Sequence, residues 1–305
     1  MKKLIKIIYN PFLILLFFLR KHSWLFKNDI LFSKIEYFLS MKKTLNLKNP
    51  LTFNEKLQWL KLFYYNSDKY SKYVDKILVK DLVEKKLGKE YVIKTLGIWD
   101  DFDDIDFNML PNKFVLKTNH NSGGIYICKD KTQIDLKKAR NIIEKSLKTN
   151  YYYQHREFPY KNIIPKIIAE EYLIDESGYE LKDYKIFCFN GSPKFFFIAS
   201  NRPVDTRFDF YDTNFNHLPF VQGHPISNKK IEKPIGFSHM IDLAQQLSKG
   251  FPQVRVDFYN INGKIYFGEL TFTHFAAIIP FKPKKWDLKL GEMLDISYLL
   301  KINKN

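Results

Sequence analysis

Cysteine is almost missing from this chain. Cys128 and Cys188 are the only two in 305 residues. They lie far apart in apolar, strand-like runs, which excludes a disulfide framework or a paired-cysteine metal site and reads as reduced core residues of a cytoplasmic protein. There is no zinc-finger spacing, no RNP-type run and no helix-turn-helix signal. Nucleic acid is therefore not the expected partner, although 49 Lys and Arg against 33 Asp and Glu give a net charge of +16. The lysines are spread along every segment, and such a surface suits other polyanions: anionic lipid, acidic polysaccharide or nucleotide phosphates. Internal repeats are absent. So is an apolar run long enough to span a bilayer, because Lys6, Asn10 and Pro11 interrupt the N-terminal one.

That N-terminal segment, residues 1–21, differs from the rest. Lys2, Lys3 and Lys6 precede the apolar run Pro11 to Leu19, and Arg20 and Lys21 follow it. No small-residue cleavage site follows, which argues against a secretory signal. Two readings remain: a basic-flanked helix lying in an anionic lipid interface on the cytoplasmic side of the membrane, or a buried N-terminal helix.

What is present points to a mixed fold. Hydrophobic residues make up 45% of the chain, enough for a sizeable core. Residues 22–110 read as a helical subdomain, with apolar residues at helical spacing over 53–63 and again over 74–87. Thr52 and Glu55 form a capping box at the first of these. After Leu110-Pro111 come strands at 114–117 and 125–128 and a helix over 136–148. Strands follow at 166–173 and 181–189, then a hairpin through Asn190-Gly191 into 194–198. A proline-bearing, loop-rich stretch covers 202–235, and a helix spans 238–249. The last hairpin runs from 253–259 through Asn262-Gly263 into 264–271. The class is α+β, dominated by antiparallel hairpins.

Asp257 and Glu269 sit on the two arms of that last hairpin, close enough across the ladder to share hard divalent cations. With them comes an ordered series: Asp75-Lys76; Lys117 ending a strand before His120-Asn-Ser-Gly-Gly124; Glu170-Glu171-Tyr172-Leu173; Asp183-Tyr-Lys185; Arg255-Val-Asp257; Gly-Glu269-Leu-Thr271. This series resembles the ATP-grasp superfamily and within it the TupA-like branch, which is associated with teichuronopeptide and other surface-polysaccharide synthesis. The run Asn49 to Leu60 resembles that branch's N-terminal signature.

The resemblance, over roughly residues 45–295, implies two lobes clamping ATP. Residues 111–170 would form the small lobe and 171–305 the large lobe. It implies that Lys76, with Lys80 as the alternative, and Lys117 reach nucleotide phosphates. Ser122, Gly123 and Gly124 would belong to a loop that closes over them, and His120 would touch phosphate or a leaving oxygen. Glu170, Glu171, Tyr172 and Leu173 would form the adenine-binding hinge. Asp183 and Lys185 would orient or face nucleotide, unless they are simply a salt bridge. Arg255 would neutralise charge in transfer, and Asp257, Glu269 and Thr271 would hold Mg²⁺. The superfamily pattern has an asparagine where Thr271 stands. His274 would line the acceptor side.

The implied activity is an ATP- and Mg²⁺-dependent carboxylate–amine ligase that works through an acylphosphate. By analogy its acceptor would be a uronic acid of a surface glycan and its second substrate an amine donor. Phosphotransfer to a hydroxyl on the same fold is one alternative. A glycosyltransferase is another, weakened because Asp101-Phe-Asp103-Asp104 lies in a polar linker rather than at a strand end. Two adjacent carboxylates in an empty site are expected to repel, so removing one should not destabilise the fold.

Overall fold

A computed structural model describes residues 11–202 and 204–302. In chain order its elements are α1 (Pro11–Lys21), α2 (Asp29–Met41), α3 (Phe53–Trp59), α4 (Ser71–Val74) and α5 (Leu78–Leu87). There follow β1 (Thr95–Trp99), β2 (Phe114–Thr118), β3 (Ile125–Cys128), α6 (Leu136–Leu147), α7 (Tyr152–His155) and β4 (Ile167–Glu171). Next come β5 (Asp183–Phe189), β6 (Ser192–Ser200), β7 (Arg207–Asp212), β8 (Val221–Gln222) and α8 (Phe237–Ser248). The chain continues with β9 (Gln253–Ile261), β10 (Lys264–Thr271), β11 (Phe281–Lys282), α9 (Lys285–Met293) and α10 (Ser297–Ile302).

Two antiparallel sheets dominate. The smaller has the order β1-β4-β2-β3 and the larger β10-β9-β5-β6-β7, while β8 and β11 form a short separate ladder. The larger sheet carries most of the core. Its phenylalanines at 187, 189, 195, 196, 197 and 258 are buried, and α8 covers one side with Met240, Leu243 and Leu247. Phe53 on α3 packs edge-on to Phe187 and Phe195, so the helical N-terminal region is bound into this core. The capping box at Thr52 and Glu55 is formed.

Several elements depart from the sequence reading, the short β8 inside the loop-rich stretch among them. β1 lies inside the stretch read as helical. It is short, carries Gly97 and a register break between Thr95 and Gly97, and is a strand because it pairs with β4. β7 occupies part of the stretch read as loop, with Phe208 and Phe210 buried against Phe197. β4 ends at Glu171, so Tyr172 and Leu173 fall beyond the strand.

The N-terminal helix is part buried and part exposed. Leu16 and Leu19 are buried against Phe32 and Leu39 of α2, whereas Leu13, Leu15, Phe17 and Phe18 are exposed. Lys2, Lys3 and Lys6 lie outside the described residues. Among the described residues, no helix is long and apolar enough to cross a membrane.

Candidate active site

The metal-type carboxylates come together through register. A bulge at Gly268 sets Phe267 opposite Phe258 and then Glu269 opposite Asp257, so one residue is skipped and both carboxylates share a face. A Cβ at residue 268 would approach the carbonyl oxygen of Asp257 to 3.1 Å, which suits glycine. Pairing of β5 with β9 continues the row, with Lys185 opposite Asp257, Asp183 opposite Tyr259 and Phe187 opposite Arg255. Thr271 stands opposite Arg255 on the other side.

Every charge in this row is answered. Arg255 grips Asp257 with two hydrogen bonds of 2.7 Å, and also donates to Glu269 at 2.9 Å, Thr271 at 2.9 Å and His274 at 2.7 Å. Lys185 pairs with Asp257 and, at 2.7 Å, with Asp183. The salt-bridge alternative for Asp183 and Lys185 is therefore present, and both residues still line the cavity. Cations sit between the acids, and the expected repulsion persists beside them: burial first, and then Asp183 and Glu269, push the Asp257 carboxyl up to about 6 against Arg255 and Lys185. Burial pushes Glu269 up, but Lys185, Arg255 and Lys76 outweigh it and hold the carboxyl well below the usual range. His274 is neutral, since burial and then Arg255 and Lys185 depress it strongly. Arg255 donates to its Nδ1, and its buried Nε2 has no hydrogen-bond partner.

The small sheet supplies the facing wall. Glu170 joins Lys117 and, at 2.7 Å, Lys80. Lys80 also bonds the Ile93 carbonyl at 2.8 Å and the Thr95 hydroxyl at 2.9 Å, so it braces β1. Lys76, between α4 and α5, donates to the Asn121 carbonyl; burial lowers its pKa to about 8.

A cavity of about 480 Å³ lies between the walls. Lys76, Lys117, Ser122, Gly123, Asp183, Lys185, Arg255, Asp257, Glu269, Thr271 and His274 line it. His120 does not. It is 2% exposed and its Nε2 bonds the Thr149 carbonyl at 3.1 Å, which corrects the expected phosphate contact. Gly124 is not on the wall either. Its φ is +60°, and a Cβ there would fall 2.1 Å from Ser146 Oγ, so packing demands glycine. The hinge residues Glu170 to Leu173 also lie off this wall. Glu170 is spent on two lysines, Glu171 is exposed, and the crevice shared by Lys80, Lys117, Glu170 and Phe267 has only about 10 Å³. That holds a water at most, so a purine reaching the hinge must part this cluster.

Several wall residues escaped sequence reasoning, among them Arg20, Tyr151, His155, Glu157, Tyr160, Arg202, Tyr259 and Thr273. Arg202 reaches Asp183 at 3.2 Å. None carries a local motif.

Asp257 and Glu269 offer hard oxygens, and the Thr271 hydroxyl lies beside them. No group of three or more His, Cys, Asp or Glu among the described residues closes a metal cage. Two carboxylates with a hydroxyl beside them are a donor set that Mg²⁺ accepts together with waters and phosphate oxygens.

Residues 55–295 match the family model described as TupA-like ATPgrasp. The chain belongs to the TupA-like ATP-grasp family. Solved structures similar to it are D-alanine–D-alanine ligases from Bacillus anthracis, in complex with ATP, and from Helicobacter pylori, and the ATP-grasp ligase PsnB in complex with a minimal precursor. The first is 14% identical at a TM-score of 0.38, covering 66% of this chain and 53% of that one. The second is 14% identical at 0.41, covering 81% and 68%. PsnB is 12% identical at 0.39, covering 69% and 56%. This chain thus spans little over half of the first and of PsnB. The comparison with curated proteins finds no match.

Proposed function

We propose that this TupA-like ATP-grasp protein is an ATP- and Mg²⁺-dependent carboxylate–amine ligase, and that its carboxylate is a uronic acid of a bacterial surface polysaccharide or its precursor. The observation that carries the reading is the row Lys185–Asp257–Glu269 with Arg255 and Thr271, facing Lys76 and Lys117 across one cavity. Asp257 and Glu269 would hold Mg²⁺, whose charge would screen that of the nucleotide phosphates. The chain's own work is positioning and charge neutralisation. Lys117 and Lys76 take phosphate oxygens from one wall, while Arg255 and Lys185 hold the acids and meet charge developing in transfer from the other. An acceptor carboxylate oxygen attacks the γ-phosphorus, and the bond to the ADP oxygen breaks. An amine nitrogen then attacks the acyl carbon, the C–O bond to phosphate breaks, and amide, ADP and phosphate leave.

The substrate class follows the family's association with surface glycans and agrees with a net charge of +16. Peripheral contact with an anionic membrane belongs to the same reading. Leu15, Phe17, Phe18, Trp24 and Leu25 are each more than half exposed. Arg20, Lys21 and Lys27 stand among them, and no acid occurs from residue 11 to residue 28.

Two experiments test this. ATP with Mg²⁺ should raise the melting temperature and UDP- or GDP-sugars should not. Stabilisation by a sugar nucleotide alone would favour a glycosyltransferase instead. Purified protein with ATP, Mg²⁺ and panels of uronic acids and amines should yield amides identifiable by mass. For the membrane, Phe17→Ser with Phe18→Ser should weaken sedimentation with phosphatidylglycerol vesicles while keeping the ATP-induced shift. Unchanged sedimentation would remove the membrane contact from the proposal.

A further inference from the structure

The acids on the cavity wall are not equivalent. Asp183, Asp257 and Glu269 are each ion-paired. Glu157 lines the same cavity, is 4% exposed, and has no cation within salt-bridge distance among the described residues. The Thr273 side chain stands beside its carboxylate. Around it stand Lys61, Glu36 and Arg255, with Tyr151 and Tyr160, whose rings meet edge-on at 4.9 Å.

Glu157 is held there by its neighbours in sequence. Arg156 closes α7 with a left-handed φ of 59°, which turns adjacent side chains apart. His155 reaches Glu36 at 2.8 Å. Arg156, almost fully buried, donates to the carbonyls of Ser23 and Phe26 and lies over Phe32. Below, Lys61 occupies a π-helical turn, Leu60–Tyr64, and spends its ammonium on the His155 carbonyl at 2.8 Å. Such turns recur at functional sites. An unpaired carboxylate buried beside tyrosine rings is costly unless something cationic joins it. It borders Arg255, next to the carboxylates where the acyl group would form.

We propose that this recess, with Glu157 at its base and Tyr151, Tyr160 and Thr273 as its walls, is the subsite for a primary amine, and that Glu157 binds the amine as its ammonium and takes a proton from it. This rests on the ligase reading above. A protonated amine has no lone pair to attack with, so one N–H proton passes to Glu157. The freed nitrogen forms the C–N bond, the C–O bond to phosphate breaks with its electron pair, and the second N–H proton leaves with phosphate. Burial pushes the Glu157 carboxyl up, Lys61 opposes this and Glu36 adds to it, which suits a group that accepts a proton near neutral pH.

Hydroxylamine separates this proposal from the reading beneath it, because at neutral pH it attacks acylphosphates uncharged. With ATP, Mg²⁺ and the best uronic acid, wild type should form hydroxamate with hydroxylamine and amide with the best amine of an amino-acid and amino-sugar panel. Glu157→Gln should lower kcat/KM for the amine by about a hundredfold or more relative to hydroxamate formation, with the ATP-induced melting shift as the check on folding. Glu157→Asp, which retains the charge, should recover part of that loss. Equal loss of both products, or undiminished amide formation, would overturn the amine subsite. If wild type makes no hydroxamate, the ligase reading fails and the subsite falls with it.

Discussion

The two sides of the cavity are backed by ion pairs with different balances. On the small sheet one acid, Glu170, answers two lysines, Lys80 and Lys117. On the large sheet three acids, Asp183, Asp257 and Glu269, answer Lys185 and Arg255, with Arg202 reaching in from the rim. The small-sheet side has cation to spare, whereas the large-sheet wall is balanced, its three acids answered by three cations. On the proposed reading, nucleotide phosphates would lie against the lysines of the first and a divalent cation against the carboxylates of the second. The pairs within each wall keep buried charges compensated before the nucleotide arrives.

The largest effects should come from the large-sheet wall, which carries the carboxylates. Asp257→Asn and Glu269→Gln should each lower kcat by at least about a hundredfold, the scale of losing a preorganised charge. The variants should part on stability. Asp257 is 1% exposed and gripped by Arg255 and Lys185, so its loss should destabilise by about 3 kcal/mol, seen as a lower melting temperature. The Glu269 side chain is 39% open to the cavity, so its variant should melt close to wild type. Equal melting of the two would break the distinction.

The cationic wall should respond in binding rather than turnover. Lys117→Met should weaken ATP by about tenfold, the scale of a hydrogen bond to a charged group, in titration calorimetry. Glu170→Gln should do the reverse. It leaves two lysines facing each other, so the melting temperature should fall without ATP while the shift on adding ATP grows. A smaller shift would mean that Glu170 serves the nucleotide directly.

Lys76 predicts a pH dependence. Its pKa is lowered to about 8, so its charge, and its part in ATP affinity, should fade as pH rises through 8 in the nucleotide-free protein. Unfolded, the same lysine titrates near 10.4, so folding strips a proton from it between these values. Its penalty on stability is full below pH 8 and relieved as pH rises toward 10.4. Lys76→Arg should flatten the decline in ATP affinity from pH 7 to 9. The smallest effect belongs to Thr271→Asn, which restores the commoner superfamily residue: turnover within about twofold at saturating Mg²⁺, and improved at limiting Mg²⁺.

What the sequence revealed and what it hid follow from where each constraint lies. The last hairpin is legible because Asn262-Gly263, both at positive φ, specify its turn. That turn brings Asp257 and Glu269 near each other, although the bulge that aligns them shows in the sequence only as Gly268. β1 and β7 were hidden because partners far along the chain make them strands. Lys117 and Glu170 were legible as motif residues, but their bond to each other was not, since it depends on the pairing of β2 with β4. Glu157 had no local signal at all. Arg156, Glu36 and Lys61 place it, from three separate parts of the chain. His120 misled because a histidine beside a glycine loop looks chemical, whereas packing under Thr149 decides where it points.

The central claim is that a carboxylate is activated through these two walls by phosphorylation, and oxygen labelling tests it most directly. Uronic acid carrying ¹⁸O in its carboxylate, incubated with the protein, ATP, Mg²⁺ and an amine, should deliver one ¹⁸O into the released phosphate. Asp257→Asn should abolish that transfer. Amide formed without label in phosphate, or ATP turned over with the label wholly retained in the acid, would contradict the account.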